Sequence, residues 1–166
     1  MSLAIVYTRA ALGIEAPLIT VEVHLSNGLP GLTMVGLPET TVKEARDRVR
    51  SALINSGYAF PAKKITINLA PADLPKEGGR YDLPIALALL VASEQLNTTR
   101  LNQYEFVGEL ALTGGLRGVP GAIPSAMEAI KAGRRIVVSS DNAAEVGLIG
   151  GSDCLVADHL QEVCAF

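Results

Sequence analysis

The sequence predicts an α/β (α+β) fold in which a mixed sheet is covered by helices. Of its 166 residues, 49% are hydrophobic but only 4% are aromatic. The core must therefore consist of aliphatic side chains and alanine, which suits mixed sheets with covering helices. Stretches with strand-like alternation and stretches with helical spacing follow one another along the chain. The length fits one core, so we expect residues 1–166 to form a single domain.

Three strands are predicted before the first helix. An apolar run from Ala4 to Thr8 is typical of a short strand, and apolar and polar residues alternate from Leu18 to Ser26 as in a strand with one buried face. Asn27-Gly28 then indicates a turn, after which Leu32 to Val35 can form the next strand.

A helix is predicted between Thr41 and Gly57. Thr41 and Glu44 have the spacing of a capping box, and apolar residues recur at helical intervals until glycine ends the pattern. The outer face is expected to carry an excess of positive charge. Such a face is either solvated, with pairs inside the helix, or contacts phosphates or another subunit. The charged residues are Lys43, Arg46, Arg48 and Arg50, with Glu44 and Asp47.

The stretch Ile65–Ser93 predicts a strand, a shaped loop and a buried helix. Apolar and polar residues alternate up to Ala70, where the strand is expected to end. The segment from Ala70 to Tyr81 contains prolines, adjacent glycines and charged residues, so it is predicted to be an exposed loop. Asp82 is expected to cap a helix that remains apolar as far as Ala92.

The second half of the chain predicts a hairpin between further strands and helices. A strand is expected at Phe106–Val107 and a glycine-rich hairpin across 108–118. A helix introduced by Pro120 and Gly121 should end at Gly133. Arg135–Ser139 is predicted to be a buried strand and Cys154–Ala157 a last short strand.

Composition excludes several classes of function. The net charge of −3 and a pI near 5.4 give no general field that attracts nucleic acid. The two cysteines lack metal-site spacing, no apolar run approaches the ~20 residues that span a bilayer, and the first residues do not resemble a signal peptide. Neither a P-loop nor GxGxxG occurs. We expect a cytoplasmic segment with reduced thiols, no membrane contact, and no cofactor or metal of its own.

The loop before the apolar helix resembles the one that presents the nucleophile in the serine/lysine peptidases of the Lon family. That family's loop reads Pro-Lys-Asp-Gly-Pro-Ser-Ala-Gly, and the matching residues here are Pro75-Lys76-Glu77-Gly78-Gly79-Arg80-Tyr81-Asp82. Arg80 takes the place of the serine. Further along, Gly108-Glu109 and Gly114-Gly115 lead to Ile123, where the lysine is expected. Since nucleophile and base must lie within hydrogen-bond reach, the resemblance implies a Lon-like fold without Lon chemistry. This fold is similar to the second domain of ribosomal protein S5.

Three longer blocks resemble the N-terminal, ChlI-type domain of the YifB/ComM family of magnesium-chelatase-related AAA+ ATPases. They are MVGLPETTVKEARDRVRSALINSG, KKITINLAPADLPKEGGRYDLPIALALL and VGELALTGGLRGVPGA. The resemblance implies a domain cut from a longer chain, with a downstream ATPase module that binds ATP and Mg. It further implies that the partners are that module and the neighbouring subunits of a homo-hexamer. The family's expected activity is DNA branch migration in natural transformation.

On this interpretation the domain is not an enzyme, and its loop 70–81 and hairpin 108–118 contact partners. Lys76, Arg80 and Arg117 are the candidate contacts to phosphates or to acidic residues, because such side chains can bind either group. One alternative is a stand-alone nucleic-acid-binding module. Another is a Lon-like serine/lysine peptidase, which would need a substitute for the missing serine; the nearest hydroxyl, that of Tyr81, has no base identifiable in the sequence. The adjacent Asp158 and His159 have no accompanying serine motif and are not expected to be catalytic.

Overall fold

The computed structural model describes residues 2–74, 76, 78–149 and 153–166, so Pro75 and Glu77 of the Lon-like loop lie outside the described residues. Nine strands and five α-helices are described. In chain order they are β1 (Ser2–Arg9), β2 (Leu18–Ser26), β3 (Gly31–Val35), α1 (Glu39–Asn55), β4 (Lys64–Ala70), α2 (Asp82–Ala92), β5 (Tyr104–Phe106), β6 (Glu109–Leu110), β7 (Leu116–Arg117), α3 (Ala122–Lys131), β8 (Arg135–Ser139), α4 (Ala143–Val146), β9 (Cys154–Ala157) and α5 (Leu160–Cys164).

Seven strands form one mixed sheet in the order β3-β4-β2-β1-β5-β8-β9. β2 pairs antiparallel with β1 and β4, whereas β3 is parallel to β4. The strands β5, β8 and β9 continue the sheet beside β1 in parallel. A separate hairpin is made by β6 and β7. The α/β class predicted from the sequence is confirmed, and the likeness to the Lon and ribosomal-protein folds stays a prediction.

The larger part of the core lies between one face of the sheet and the helices α1 and α2. Alternation in β2 buries Ile19, Val21, Val23 and Leu25, as the sequence predicted. In α2 all residues except Val91 are buried. An apolar helix of this kind has no solvent face and therefore needs covering on all sides. The sheet strands β1 and β2 provide one side, and α1 and β6 provide others.

The helix α3 packs on the opposite face of the sheet, at the end formed by β5 and β8. Alternate residues of β8 point to opposite faces, and Val137 belongs to the larger core while its neighbours face α3. Small side chains on α3 let the helix approach the strands closely. The contacting residues are Ala122, Ala126 and Ala129 of the helix, and Val107, Ile136 and Val138.

Two predicted helix caps are wrong. The helix α1 begins at Glu39 rather than after Thr41, and Pro38 occupies its cap position without a side-chain hydrogen bond. Proline is already fixed near the φ value that a helix start requires, so the chain turns earlier than the capping box suggests. Asp82 does not cap α2 either, because it lies in the first turn and its carboxylate binds other elements.

Within the described residues, no helix has the length and apolar character needed to cross a membrane. No three side chains among the described His, Cys, Asp and Glu residues come together as a metal site. Cys154 and Cys164 are both free thiols.

Candidate functional site

A cleft of about 540 Å³ lies where three loops meet. The loops are the turn between β1 and β2, the end of the Lon-like loop before α2, and the segment that leads from β7 into α3. Their lining residues are Ala11 to Gly13, Gly78 to Tyr81 and Gly118 to Pro120, together with Glu109 of β6. The loop and the hairpin predicted as contact surfaces thus meet at one place.

Glycines let these loops approach one another. A Cβ atom on Gly79 would lie 2.2 Å from Oε1 and 2.6 Å from Cγ of Glu109, so a side chain at this position would have to displace the Glu109 side chain on β6. Gly121 has a φ of +76°, which favours glycine, and a Cβ there would lie 3.0 Å from the Cβ of Ala11. Gly79 of the Lon-like loop and Gly121 before α3 therefore have a packing role at the cleft.

Arg80 joins all three walls of the cleft and is only 4% exposed. Its Nε donates to the carbonyl oxygen of Arg9 at 2.9 Å, its Nη1 donates to the carbonyl of Pro120, and its Nη2 donates to Oγ of Ser125 at 2.9 Å. No carboxylate of a described residue forms an ion pair with Arg80. Burial lowers the pKa of this guanidinium.

The residues at the Lon-like positions have no nucleophile–base arrangement. Arg80 is engaged in the bonds just described, and Ile123 lies half-buried in the first turn of α3. The hydroxyl nearest to Arg80 in these contacts belongs to Ser125, which the sequence analysis did not single out and which is fully buried. Its hydroxyl accepts a hydrogen bond from the Arg80 guanidinium, and no hydrogen bond from this hydroxyl to a base is found among the described residues.

The three candidate contact residues lie in different environments. Lys76 is buried, and its Nζ donates to the carbonyls of Pro71 and Leu74 within its own loop. Arg80 is buried at the base of the cleft, whereas Arg117 is exposed on the hairpin. A partner would have to break existing hydrogen bonds to reach Lys76 or Arg80 in full. Contact through these residues stays a prediction, and Arg117 is the one of the three that needs no rearrangement.

Glu109 is an acidic residue at the cleft that sequence analysis treated only as part of a hairpin motif. It lies opposite Arg117 in the β6–β7 pair. Its half-buried carboxylate makes no hydrogen bond or ion pair with the described residues. Among the described residues, Glu109 and the buried Arg80 are the charged side chains that line the cleft, and Glu109 also interacts electrostatically with Arg48 and Asp82.

Asp82 of α2 connects this helix to α1 and to β6 beside the cleft. Its fully buried carboxylate accepts hydrogen bonds from Nε and Nη2 of Arg48 at 2.6 and 3.2 Å and from the amide of Leu110 at 3.1 Å. Burial raises the pKa of Asp82 to about 6, although the Arg48 guanidinium opposes this rise. The prediction that Arg48 belongs to the solvent face of α1 is therefore wrong. The ion pair fixes α1, α2 and β6 relative to one another.

His159 fixes the other end of the hairpin. Its Nδ1 accepts a hydrogen bond from the amide of Gln161, which leaves the proton on Nε2, 3.0 Å from the carbonyl oxygen of Thr113. The backbone amides of Leu116 and Leu160 bond across the same junction, to Asp158 and Gly114. His159 thus joins the start of α5 to the hairpin.

The fold and the cleft define a mixed α/β domain in which Arg80 and Ile123 occupy the positions that correspond to the serine and the lysine of the Lon-like motif. A family model of subunit ChlI of Mg-chelatase matches residues 21–142. The whole chain is 80% identical to the uncharacterized protein YifB of Escherichia coli and 60% identical to the competence protein ComM of Haemophilus influenzae. Over 92% of its length it is 38% identical to an uncharacterized protein of Mycobacterium tuberculosis.

The chain belongs to this family of Mg-chelatase-related proteins, as the sequence analysis predicted. It spans about a third of the length of YifB and of ComM, and a similar share of the mycobacterial relative.

Proposed function

We propose that the chain is a non-catalytic accessory domain of a magnesium-chelatase-related AAA+ ATPase. In this role it organises or regulates a ring in which ATP and Mg²⁺ are bound elsewhere. The observation that carries the proposal is the position of Arg80. A guanidinium held by three acceptors occupies the loop position at which a Lon-type peptidase has its serine, and Ile123 occupies the position of the lysine. The role proposed for the cleft region is therefore binding and not catalysis.

The contact surface of the proposed domain is the hairpin 108–118 with the adjoining end of α1. Leu112 and Ile54 are 55% and 51% exposed, and the Asn55 side chain donates to the Leu112 carbonyl at 2.7 Å, so the two elements are in contact. Exposed apolar residues beside an exposed arginine such as Arg117 are typical of protein interfaces. The proposed partners are the ATPase module and the neighbouring subunits of a homo-hexamer.

A role with DNA is supported by the relatives. The name of ComM contains the word competence, which refers to the uptake of DNA, and YifB is still more similar to this chain. We propose that the full-length protein acts on DNA by branch migration, with the cytoplasm as its location. In this proposal the present domain supports assembly of the ring and does not itself recognise the nucleic acid.

A chimera in which this chain replaces the matching third of YifB tests the proposal. Arg117→Glu together with Leu112→Asp should weaken hexamer formation, measured by light scattering after size-exclusion chromatography, and should lower ATP hydrolysis in parallel. Lys131→Glu is the control, because Lys131 is exposed at the far end of α3. Unchanged assembly in the double variant would contradict the proposed contact surface.

The non-catalytic part of the proposal has its own test. The chain should neither hydrolyse casein nor form a covalent adduct with a fluorophosphonate. Labelling of the wild-type chain that disappears in Ser125→Ala would instead indicate a serine peptidase.

A second candidate function, nucleic-acid binding by this domain alone, is favoured by one observation. Lys43, Arg46 and Arg50 lie along α1 and keep at least part of their side chains exposed. Affinity of the isolated chain for single- and double-stranded DNA, measured against salt, should be weak and nearly independent of salt if the accessory role is correct. A steep decrease in affinity with salt that Arg46→Ala and Arg50→Ala reduce would favour direct binding.

A further inference from the structure

A groove of about 420 Å³ lies between β5, α5 and the loop that joins α2 to β5. Its floor is formed by buried apolar side chains of the larger core, namely Leu87, Phe106 and Val163. A volume of this size is sufficient to enclose a bound group. No described residue lines both this groove and the cleft at Arg80, so the two are separate places on the domain.

The walls of the groove leave apolar surface uncovered. The Phe166 side chain is 43% exposed, and Leu96 and Leu101 are only partly buried although they pack against the core. Exposed apolar side chains that are grouped in a concave place are typical of a surface that another protein segment covers. The groove therefore suits an apolar side chain of such a segment.

Arg100 holds the main chain at the rim of the groove. Its Nη2 donates to the carbonyl oxygen of Phe166 at 2.7 Å, and its guanidinium carbon lies 5.8 Å from the centre of the Tyr104 ring. Its Nε and Nη1 have no hydrogen-bond partner among the described residues, and no described carboxylate forms an ion pair with Arg100. These N–H groups can bind further carbonyl or carboxylate oxygens of the segment that Phe166 begins.

The relatives indicate which segment covers the groove. The chain matches the N-terminal third of YifB and of ComM, so in both relatives the position of Phe166 is followed by the rest of a much longer protein. Since α5 ends at Cys164 and Phe166 lines the groove, a segment that follows residue 166 starts at the rim. An attached segment has a high effective concentration and therefore needs only a small contact area.

We propose that the groove is the docking site of the segment that directly follows residue 166 in the full-length protein. An apolar side chain of this segment lies against Leu101 and Phe106, and its main-chain carbonyls accept hydrogen bonds from Arg100. The inference rests on the proposed function, in which the chain continues into an ATPase module. It adds an attachment within one subunit, which fixes the orientation of the domain relative to that module.

Hydrogen–deuterium exchange with mass spectrometry tests the docking on the chimera in which this chain replaces the matching third of YifB. In a variant, about ten residues after residue 166, which span at most roughly 35 Å, are replaced by a glycine–serine linker of the same length. The amides of residues 96–101 should exchange about tenfold faster in this variant, because the segment no longer covers them. The turn 27–30, which does not line the groove, is the internal reference. Unchanged exchange at residues 96–101 would overturn the proposal.

A charge reversal at the rim tests the role of Arg100. Arg100→Glu should increase the rate at which subtilisin cleaves the segment after residue 166 about fivefold, because the hydrogen bonds that hold this segment are lost. Arg100 is exposed, so the substitution leaves the core intact. Lys131→Glu, a matched reversal at an exposed residue of α3, should leave the cleavage rate unchanged. Equal cleavage rates in the two variants would contradict the proposed contact.

Dependence on protein concentration separates docking within one subunit from contact with a neighbour. Protection of residues 96–101 should be the same below and above the concentration at which the ring assembles, and it should persist in the double variant Arg117→Glu, Leu112→Asp. Protection that appears only on assembly would assign the groove to a neighbouring subunit and overturn the inference. Loss of assembly in the double variant, combined with no effect of the linker replacement, would retain the proposed function and reject the docking site.

Discussion

The guanidinium of Arg48 forms a two-pronged ion pair with the buried carboxylate of Asp82, at distances of 2.6 and 3.2 Å. The two residues lie 34 positions apart, on α1 and α2. The same carboxylate accepts the amide of Leu110 on β6. One side chain therefore determines how two helices and the hairpin are arranged beside the cleft.

The pKa of Asp82 predicts a pH-dependent stability. Because burial raises this pKa to about 6 from an ordinary 3.8, the folded chain binds the proton more readily than the unfolded chain. The contribution to stability is therefore fully present below about pH 4 and is lost as pH rises through 6. The change in the pKa of Asp82 from 3.8 to about 6 corresponds to a stability contribution of about 3 kcal/mol.

Urea unfolding of the wild-type chain and of Asp82→Asn between pH 4 and 7 measures this contribution. Asparagine cannot titrate but keeps an acceptor for Leu110. The unfolding free energy of the wild-type chain relative to that of Asp82→Asn should decrease as the pH rises from 4 to 7. A difference that is constant with pH would show that Asp82 titrates normally.

Arg48→Ala should destabilise the chain by about 2–3 kcal/mol, because it leaves a buried carboxylate without its counter-charge. The pKa of Asp82 should rise further in this variant, because the Arg48 guanidinium lowers it in the wild-type chain. Denaturant midpoints give the first quantity and NMR titration of the Asp82 carboxyl carbon gives the second. Arg46→Ala is the matched control on the same helix, and its effect should be below about 0.5 kcal/mol. Equal effects of the two substitutions would contradict a structural role for the ion pair.

Arg80→Lys should lower stability by about 2 kcal/mol. Lysine keeps the charge but cannot present the planar fork that reaches Arg9, Pro120 and Ser125 together, and hydrogen bonds from charged groups are the stronger ones. The matched control is Arg117→Lys on the exposed hairpin, for which no measurable change is expected. Thermal unfolding of both variants measures these effects. If Arg80→Lys does not change the stability, a positive charge alone is sufficient at this position.

Gly79→Ala should destabilise the chain because the new Cβ would lie 2.2 Å from Oε1 and 2.6 Å from Cγ of Glu109. Glu109→Ala removes these atoms, so the double variant should recover most of the loss, and a double-mutant cycle measures the coupling. Gly31→Ala is a control, since a Cβ at that position meets nothing within 4 Å. Additive effects of Gly79→Ala and Glu109→Ala would exclude the predicted clash.

Local patterns predicted the elements whose burial is regular. The alternation in β2 and β4 and the unbroken apolar run of α2 were sufficient, because burial on one face or on all sides leaves a direct periodic signal. The resemblance to the Lon family also identified Arg80 and Ile123 as the residues at the positions of the family's serine and lysine. The caps of α1 and α2 were wrong, since several residue types can begin a helix and the surrounding contacts decide between them.

The sequence by itself determined the α/β class, the family and the absence of serine and lysine from two expected positions, because composition, periodicity and motif spacing are properties of neighbouring residues. Tertiary structure alone decided that Arg48 pairs with Asp82, that Arg80 reaches acceptors 71, 40 and 45 positions away, and that Glu109 lies over Gly79. The order of strands in the sheet brings these distant segments together. A hydrogen bond or ion pair requires distances of a few ångströms, which no local pattern specifies.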